Sequence, residues 1–318
     1  MVFGPFLTDG YTVIVPDIEG QRADFGAGPE YGMNTLDSIR AALSDKSTLK
    51  LPGNAKVAML GYSGGALATE WAAELAPTYA PDLNQRLIGA AMGGLLVHPA
   101  HNLHYVDGSL GWAGVMLMAF VGISRAFNVD FTPYLNANGV QLFNNMKTKS
   151  ITDVLGHYPG LTWKKLAKPQ YPTPESIPLY VDCVNKLIMG TGGHPDNATK
   201  PTKPEMPLFI GQAAHGEIEG TPASKEYGPG DGVMIAGDVR TLALSYCERG
   251  NKTIWYEEYP DLSHIPASVF PWLPRSIAWI NDRFAGERPP QNCSEIKKGN
   301  KLDPIKSGHG GILTARSR

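Results

Sequence analysis

The sequence predicts an α/β protein built on a mostly parallel sheet. Short apolar or β-branched runs alternate with segments whose apolar residues recur at helical spacing, and the 318 residues include 36 Gly and 26 Pro, which suit the turns between them. Such alternation is typical of parallel sheets with helices on both faces, because parallel strands need a crossover connection. A chain of this length can bury a substantial core in one or two domains.

The first part of this alternation covers residues 1–97. The β-branched run 12–15, ended by Pro16, predicts a strand, and the helical repeat that starts at Met33 predicts an amphipathic helix. The elements expected next are a strand at 56–60, a helix to about Leu75 and a strand at 87–92.

The alternation stops between about His98 and Pro204, so residues 98–205 are predicted to form an inserted helical cap. This segment holds the apolar run 110–124 and a helix-like stretch at 177–189. The apolar run is shorter than the roughly 20 residues that span a bilayer, which favours a buried or lid helix. No transmembrane segment is predicted.

Residues 206–288 return to the alternation and complete a discontinuous core. The elements expected there are a strand at 207–211, a helix at about 234–248, a strand at 253–259 and a helix at about 274–284. Residues 289–318 are expected to form a C-terminal tail, because the stretch 297–301 (KKGNK) looks too polar to pack.

Charge excludes one class of function. The formal net charge is −2, and no basic stripe interleaved with aromatic residues occurs along the chain. Nucleic-acid binding needs a positive footprint of that kind. We therefore expect no nucleic-acid partner.

The stretch Gly61-Tyr62-Ser63-Gly64-Gly65 lies between the strand at 56–60 and the helix that follows it. A strand, a Gly-x-Ser-x-Gly turn and a helix are typical of a nucleophile elbow, in which glycines permit close backbone approach. This turn would place Ser63 at the carboxyl edge of the sheet, where the Gly64 amide and the helix N-terminus favour an oxyanion. The pattern alone leaves open an unreactive strand-to-helix loop.

A serine needs a base, and in this architecture the partners follow in the order Ser, Asp or Glu, His. His264 directly follows the strand at 253–259 and precedes the last core helix. It is the one histidine of eight that occupies the expected loop. An ordinary surface histidine is the alternative.

Asp231 is the favoured acid because it follows the strand at 207–211 and stands at a loop-to-helix entry. Asp238 and Asp261 are its rivals, but the first would lie inside the helix and the second is crowded against the histidine. A helix cap with no catalytic part is the alternative for Asp231.

Together these stretches resemble a known family. The segments PDIEG, YGMNTLDSIRAAL, GYSGG and WAAELAPTYAPDLN, with GDGVM, YCERG and LSH later in the chain, resemble the secretory lipases of fungi and actinobacteria. The resemblance implies an α/β-hydrolase with a helical cap that hydrolyses carboxylic esters, including acylglycerols, without a metal or other cofactor. It implies the triad Ser63, Asp231 and His264, and a lipid or ester substrate met at a lipid–water interface.

The resemblance also implies that part of the family pattern precedes Met1. Family members carry early strands, an oxyanion-hole residue, a signal peptide and a cysteine for the counterpart of Cys183 in an N-terminal portion. Here the chain runs directly into the strand at 12–15 without a basic region. We therefore expect a fragment that lacks the early strands and is weakly active or insoluble by itself.

Cysteines and glycosylation patterns bear on the compartment. Cys247 and Cys293 match a pair that bridges in family members, and the third cysteine then stays single. The sequons at Asn197, Asn251 and Asn292 fit a secretory route. With the resemblance, these features predict a secreted glycoprotein.

Other readings of the chain stay open. The absent oxyanion loop favours, as a rival, a lipid-binding or vestigial hydrolase-fold protein without catalysis. A peptidase or short-chain esterase would use the same triad, because fold and triad do not set the substrate. A metal site at His98, His101 and His104 is disfavoured, since no carboxylate accompanies them before Asp107. His309-Gly310-Gly311 stands at the wrong chain position for an oxyanion motif.

Overall fold

The computed structural model describes residues 3–192 and 203–307. The sequon at Asn197 and the motif His309-Gly310-Gly311 lie outside these residues. Across the described ranges, four strands pair in parallel and in chain order to form one sheet. They are β1 (Val57–Tyr62), β2 (Leu87–Gly93), β3 (Leu208–Ala213) and β4 (Ile254–Tyr259).

Helices fill the intervals between the strands. In chain order they are α1 (Gly4–Thr8), α2 (Gly28–Ser44), α3 (Gly64–Tyr79), α4 (Pro81–Asn84), α5 (Pro99–Val106), α6 (Ala113–Ala126), α7 (Ala137–Met146), α8 (Trp163–Leu166), α9 (Pro178–Val184), α10 (Ala236–Glu248), α11 (His264–Ala267) and α12 (Leu273–Ala285).

Both faces of the sheet are covered, as the alternation of elements predicts. Along β2, Ala90 and Met92 join the cluster that contains residues of α2, α3 and α10, whereas Ala91 joins the cluster built around α12. Successive side chains of a strand point to opposite faces, so this division shows helices on each side. Helices α2 and α3 pack closely, because a Cβ on Gly32 would lie 2.6 Å from the backbone of Trp71.

The strand predicted at 12–15 is wrong. These residues belong to no strand, and in the described sheet β1 has only β2 as a neighbour. Val13 packs against the α12 side of the core and Ile14 against the α2 side, while Val15 is 67% exposed. The apolar run therefore records burial beside the sheet and not hydrogen-bonded pairing.

Helices α5 to α9 form a helical segment between β2 and β3 with an apolar cluster of its own. At its centre the ring of Phe120 stacks on Trp163 at 5.0 Å and on Tyr180 at 5.4 Å. The apolar run 110–124 supplies α6, which has 14 residues. Among the described residues, no helix combines the length and hydropathy needed to cross a membrane.

The expectation that the stretch 297–301 is too polar to pack is wrong for Asn300, and a residue beyond that stretch also bonds to the rest of the protein. Asn300 donates from its backbone to Gly237 O (3.1 Å) and from its side chain to Asp238 Oδ1 (2.8 Å). Further along, Ile305 N donates to Asn185 Oδ1 at 2.9 Å. Polar side chains in this segment find partners at helix ends of the core and of the helical segment, which composition alone does not reveal.

The cysteines divide into one pair and one thiol. Cys247, near the end of α10, forms a disulfide with Cys293, and their Cα atoms lie 5.8 Å apart. Cys183 is unpaired within the described residues and buried in α9, where burial raises the pKa of its thiol to about 11. Burial disfavours the thiolate, which is the nucleophilic form of a cysteine.

Two of the sequon asparagines, Asn251 and Asn292, make hydrogen bonds within the protein. Asn251 is buried, and its side-chain amide donates to Pro204 O at 2.9 Å and to Met206 O at 3.0 Å. Asn292 is half-buried and exchanges two hydrogen bonds with the backbone of Tyr256. A glycan on Asn251 is incompatible with this packing, so that sequon does not mark a glycosylation site in the folded chain.

Candidate active site

Ser63 lies in the turn between β1 and α3, at the carboxyl edge of the sheet. Its backbone has φ 56° and ψ −119°, a combination that L-residues adopt rarely and that is typical of a nucleophile elbow. Two backbone bonds hold the turn: Ser63 N donates to Gly93 O (2.9 Å), and Leu67 N donates to Ser63 O (3.0 Å). The turn places Ser63 directly before α3, as its N-cap residue.

The glycines of the turn do not share one role. A Cβ on Gly61 would lie 2.0 Å from Gly65 O and 2.6 Å from Thr69 Oγ1, so close approach requires glycine there. At Gly64 and Gly65, the first two residues of α3, no atom from outside the adjoining chain lies within 4 Å of that position. The expected close approach is therefore confined to Gly61, while Gly64 lines the cavity in front of the helix.

Asp231 and His264 are in direct contact. The imidazole Nδ1 lies 2.7 Å from Asp231 Oδ2, and the His264 backbone N–H donates to Asp231 O at 2.7 Å. Both side chains are buried. A carboxylate on Nδ1 fixes the tautomer with its proton there, which leaves Nε2 as an acceptor.

The carboxylate of Asp231 is held on every side. Its Oδ1 accepts from Val233 N (3.1 Å) and Met234 N (2.7 Å), and its Oδ2 also accepts from Gln212 Nε2 at 3.0 Å. Gln212 is fully buried at the end of β3, and its Oε1 accepts from Leu95 N at 3.2 Å. The acid is thus tied to the strand that precedes it and to the chain that follows β2.

The imidazole of His264 packs against two aromatic rings and lies close to Gly94. Tyr62 lies 5.0 Å and Trp112 5.2 Å from it, centroid to centroid, and Tyr62 Oη donates to His264 O at 2.8 Å. Burial and the nearby charge of Asp231 raise the pKa of Tyr62, so its hydroxyl stays a donor. His264 Nε2 is buried and has no hydrogen-bond partner within the part of the chain that the structure describes.

One cavity of about 690 Å³ is lined by Ser63, His264, Tyr62 and Trp112. Ser63, Gly64 and His264 line one part of it, and apolar side chains of α5 and α6 line much of the rest. Those apolar side chains include Leu103, Val106, Met116, Met118 and Ile123. The cavity therefore offers an apolar surface that ends at a hydroxyl and an imidazole.

The rival acids occupy other positions. Asp238 accepts from Asn300 and lies 3.0 Å from His101 Nδ1, and Asp261 is exposed. His101 stacks on His98 at 3.6 Å, and burial with the charge of His101 lowers the pKa of His98 to about 4. In the described part of the chain no group of three or more His, Cys, Asp or Glu is arranged to hold a metal ion.

Sequence reasoning missed Gln212, Trp112 and Glu219. Glu219 accepts from Trp112 Nε1 at 2.7 Å, and Trp112 contacts the imidazole edge-on. Gln212 carried a usable signal, because a polar residue inside the buried run 208–213 needs an internal partner. Nothing in local spacing marks the other two, since their partners are distant in the chain.

A parallel sheet with a serine on a strained turn after β1, and with an acid and a histidine on the loops after β3 and β4, defines an α/β-hydrolase. Residues 1–292 match the family model described as "Secretory lipase". This chain belongs to the secretory lipase family.

Relatives and solved structures agree with this assignment. Lipase 2 of Candida albicans is 32% identical over 301 residues, which is 92% of this chain. A secreted triacylglycerol lipase of Malassezia furfur is 27% identical over 98% of this chain and 76% of its own length. The closed-state structure of Candida antarctica lipase A is 29% identical, with a TM-score of 0.75 over 96% of this chain and 66% of that chain.

These matches cover nearly all of this chain but only part of each relative. The chain spans 59% of the length of Candida albicans Lipase 2 and 61% of Lipase 5 of the same organism. The esterase LipA of Xanthomonas oryzae, at 15% identity and a TM-score of 0.58, shares the fold alone.

Proposed function

We propose that this chain is a serine hydrolase that cleaves carboxylic esters, with triacylglycerols as its substrate class. The observation that carries the proposal is the 2.7 Å contact between His264 Nδ1 and Asp231 Oδ2, with Nε2 left buried and unpartnered among the described residues at a cavity that Ser63 also lines. Acyl transfer needs a base whose free acceptor can take the proton of a hydroxyl in the same site.

In the proposed mechanism His264 Nε2 takes the hydroxyl proton as Ser63 Oγ attacks the ester carbonyl carbon. The oxyanion forms near the Gly64 amide and the N-terminus of α3, where positive partial charge is concentrated. The imidazolium, stabilised by Asp231, then protonates the leaving alcohol as the ester C–O bond breaks. Water, activated by the same histidine, hydrolyses the acyl-enzyme and releases the fatty acid.

The apolar lining supports a long acyl chain as the acid part of the substrate. A fatty acyl chain gains roughly 0.8 kcal/mol for each CH₂ group removed from water, so the cavity between α3, α5 and α6 favours longer chains. In this proposal residues 98–205 act as a cap over the acyl chain. The family and its secreted relatives further support secretion of the protein.

A fluorophosphonate probe tests the proposal, because it reacts only with an activated serine. We expect labelling of the wild-type chain, at a low rate in line with the weak activity expected from the sequence, and loss of both labelling and hydrolysis in Ser63→Ala. Ser268→Ala is the matched control, since this serine also lines the cavity, and it should label normally.

A series of p-nitrophenyl esters of increasing chain length then tests the substrate class, and preference for short esters would exclude a lipase. Lipid binding by a folded chain that the probe does not label would identify a non-catalytic lipid-binding protein and overturn the proposal.

A further inference from the structure

Glu219 ends a short 3₁₀ helix (Gly216–Glu219) after β3 and uses both carboxylate oxygens. Its Oε2 accepts from the indole Nε1 of Trp112 at 2.7 Å, and its Oε1 accepts from the backbone N–H of Ile265 at 2.8 Å. Charge-assisted hydrogen bonds of this kind are stronger than bonds between neutral groups. One half-buried carboxylate therefore joins two parts of the chain that are far apart in sequence.

Both of these partners adjoin His264. Ile265 is the next residue in the chain, so its amide fixes the backbone on which the imidazole stands. Trp112 is buried at the start of α6, and its ring meets the imidazole edge-on at 5.2 Å with an angle of 83° between the planes. The carboxylate thus restrains the histidine through its backbone and through the ring that packs on it.

Two glycines leave room for the contact between Glu219 and Trp112. Gly232, which follows the acid Asp231, has φ +123°, and a Cβ there would lie 3.0 Å from Trp112 Nε1 and 3.2 Å from Glu219 Oε2. A Cβ on Gly111 would lie 2.7 Å from Glu219 O. Leu110 N also donates to Gly220 O at 3.1 Å, which adds a second bond between the two segments.

We propose that Glu219 is a positioning residue for His264, which holds the imidazole in place through the Ile265 amide and the Trp112 ring. The inference rests on the proposed function, because it assigns Glu219 to the base of that reaction. Glu219 is not among the described residues that line the cavity. Its partners Trp112 and Ile265 do line the cavity, so the inference predicts a loss of kcat that exceeds any change in KM.

Alanine and glutamine substitutions at Glu219 test the inference with a soluble short-chain ester. Misplacement of a catalytic group by about 1 Å can cost 10²-fold, so we expect kcat to fall by about 10- to 100-fold in Glu219→Ala with KM changed by less than about twofold. Glu219→Gln keeps one acceptor and should restore part of kcat. Glu219→Ala should unfold a few degrees below the wild type because two hydrogen bonds are lost, so kcat is measured well below that temperature, where both variants are folded.

Glu217→Ala is the matched control, because Glu217 lies on the same turn but accepts from Ala223 N and is not among the described residues that line the cavity. It should leave kcat and KM unchanged. Wild-type kcat in Glu219→Ala would overturn the inference. So would a loss of kcat that Glu217→Ala reproduces, or one that is matched by an equal loss of folded protein at the assay temperature.

An NMR measurement separates this inference from the proposed function. The proton between His264 Nδ1 and Asp231 gives a downfield signal whether or not the chain hydrolyses esters, and His264→Gln assigns that signal. We expect Glu219→Ala to shift or broaden it and Glu217→Ala to leave it unchanged. If the wild type is inactive but this pattern holds, the proposed function fails and the positioning role stands. An unchanged signal in Glu219→Ala overturns the positioning role.

Discussion

At the scale of single residues, the site requires a glycine at one position as well as particular side chains at others. Ser63 carries the positive φ of the elbow itself, which costs an L-residue of the order of 1–3 kcal/mol. Across from it, Gly94 has φ +63°, and a Cβ there would lie 2.6 Å from His264 Cε1 and 3.0 Å from His264 Nδ1. The imidazole occupies space that only a glycine leaves open.

Gly94→Ala should therefore lower both stability and activity, whereas the same change at a positive-φ glycine in open space should lower stability alone. We expect Gly94→Ala to lower the free energy of unfolding by about 1–2 kcal/mol, because alanine disfavours this φ, and to lower kcat by about tenfold or more because the imidazole is displaced. Gly160→Ala is the control, since Gly160 has φ +68° with no atom within 4 Å of the Cβ position. Urea unfolding and ester hydrolysis give the two readouts. Equal activity of the two variants would contradict the argument.

At the scale of elements, α3 connects the nucleophile to a buried acidic pair. Glu70 and Glu74 lie one turn apart on this helix, both buried, and both bond to the Tyr246 hydroxyl of α10, the second at 2.9 Å. The single phenolic proton of Tyr246 can be donated to only one of the two carboxylates at a time. Burial, and then the charge of Glu74, raise the pKa of Glu70 well above its ordinary value, which favours its protonated form.

The raised pKa of Glu70 sets the sign of a pH dependence. The folded chain holds this proton to higher pH than the unfolded chain, so its contribution to stability is complete below the ordinary glutamate pKa and is lost as pH rises above it. Between about pH 5 and about pH 8 the free energy of unfolding should fall more in the wild type than in Glu70→Gln. Urea unfolding measures this, and exposed Glu248→Gln should behave as the wild type. Parallel profiles for wild type and Glu70→Gln would refute the prediction.

At the scale of the whole molecule, exposed apolar side chains gather beside the cavity. Ile265, Val269 and Phe270 are 48%, 50% and 72% exposed in the stretch after His264, and Ile265 also lines the cavity. Leu110 and Ile218 flank the segments joined by Glu219 and are 63% and 55% exposed. Grouped apolar side chains on a surface mark interaction sites. Under the proposed function this rim faces the lipid phase.

Replacing part of the rim should affect aggregated substrates alone. We expect Val269→Ser with Phe270→Ser to reduce hydrolysis of an emulsified long-chain ester by at least about tenfold, because each large apolar side chain contributes about 1.5–3 kcal/mol when fully buried, and to spare a soluble short ester. Leu49→Ser is the control, since Leu49 is exposed but is not among the described residues that line the cavity. Equal losses on both substrates would argue against a lipid-facing rim.

The sequence by itself determined the order of elements and the residues worth testing. Strand and helix periodicities are local, and the strands at 57–62, 87–93, 208–213 and 254–259 match their predicted positions within a few residues. The glycine-flanked Ser63 and the placement of Asp231 and His264 after consecutive strands are also readable along the chain. The structure adds that the last two are in contact, while their part in catalysis stays a proposal.

Only the tertiary structure decided which groups meet. The run 12–15 has the composition of a strand but lacks a partner strand in the described sheet, and Asn251 has the pattern of a sequon but is enclosed by backbone. Gln212 and Glu219 support the acid and the base through bonds to residues far away in sequence. Local periodicity records how much of a side chain is buried. It cannot record its hydrogen-bond partner, because that partner is supplied by the packing of segments that the chain brings together only on folding.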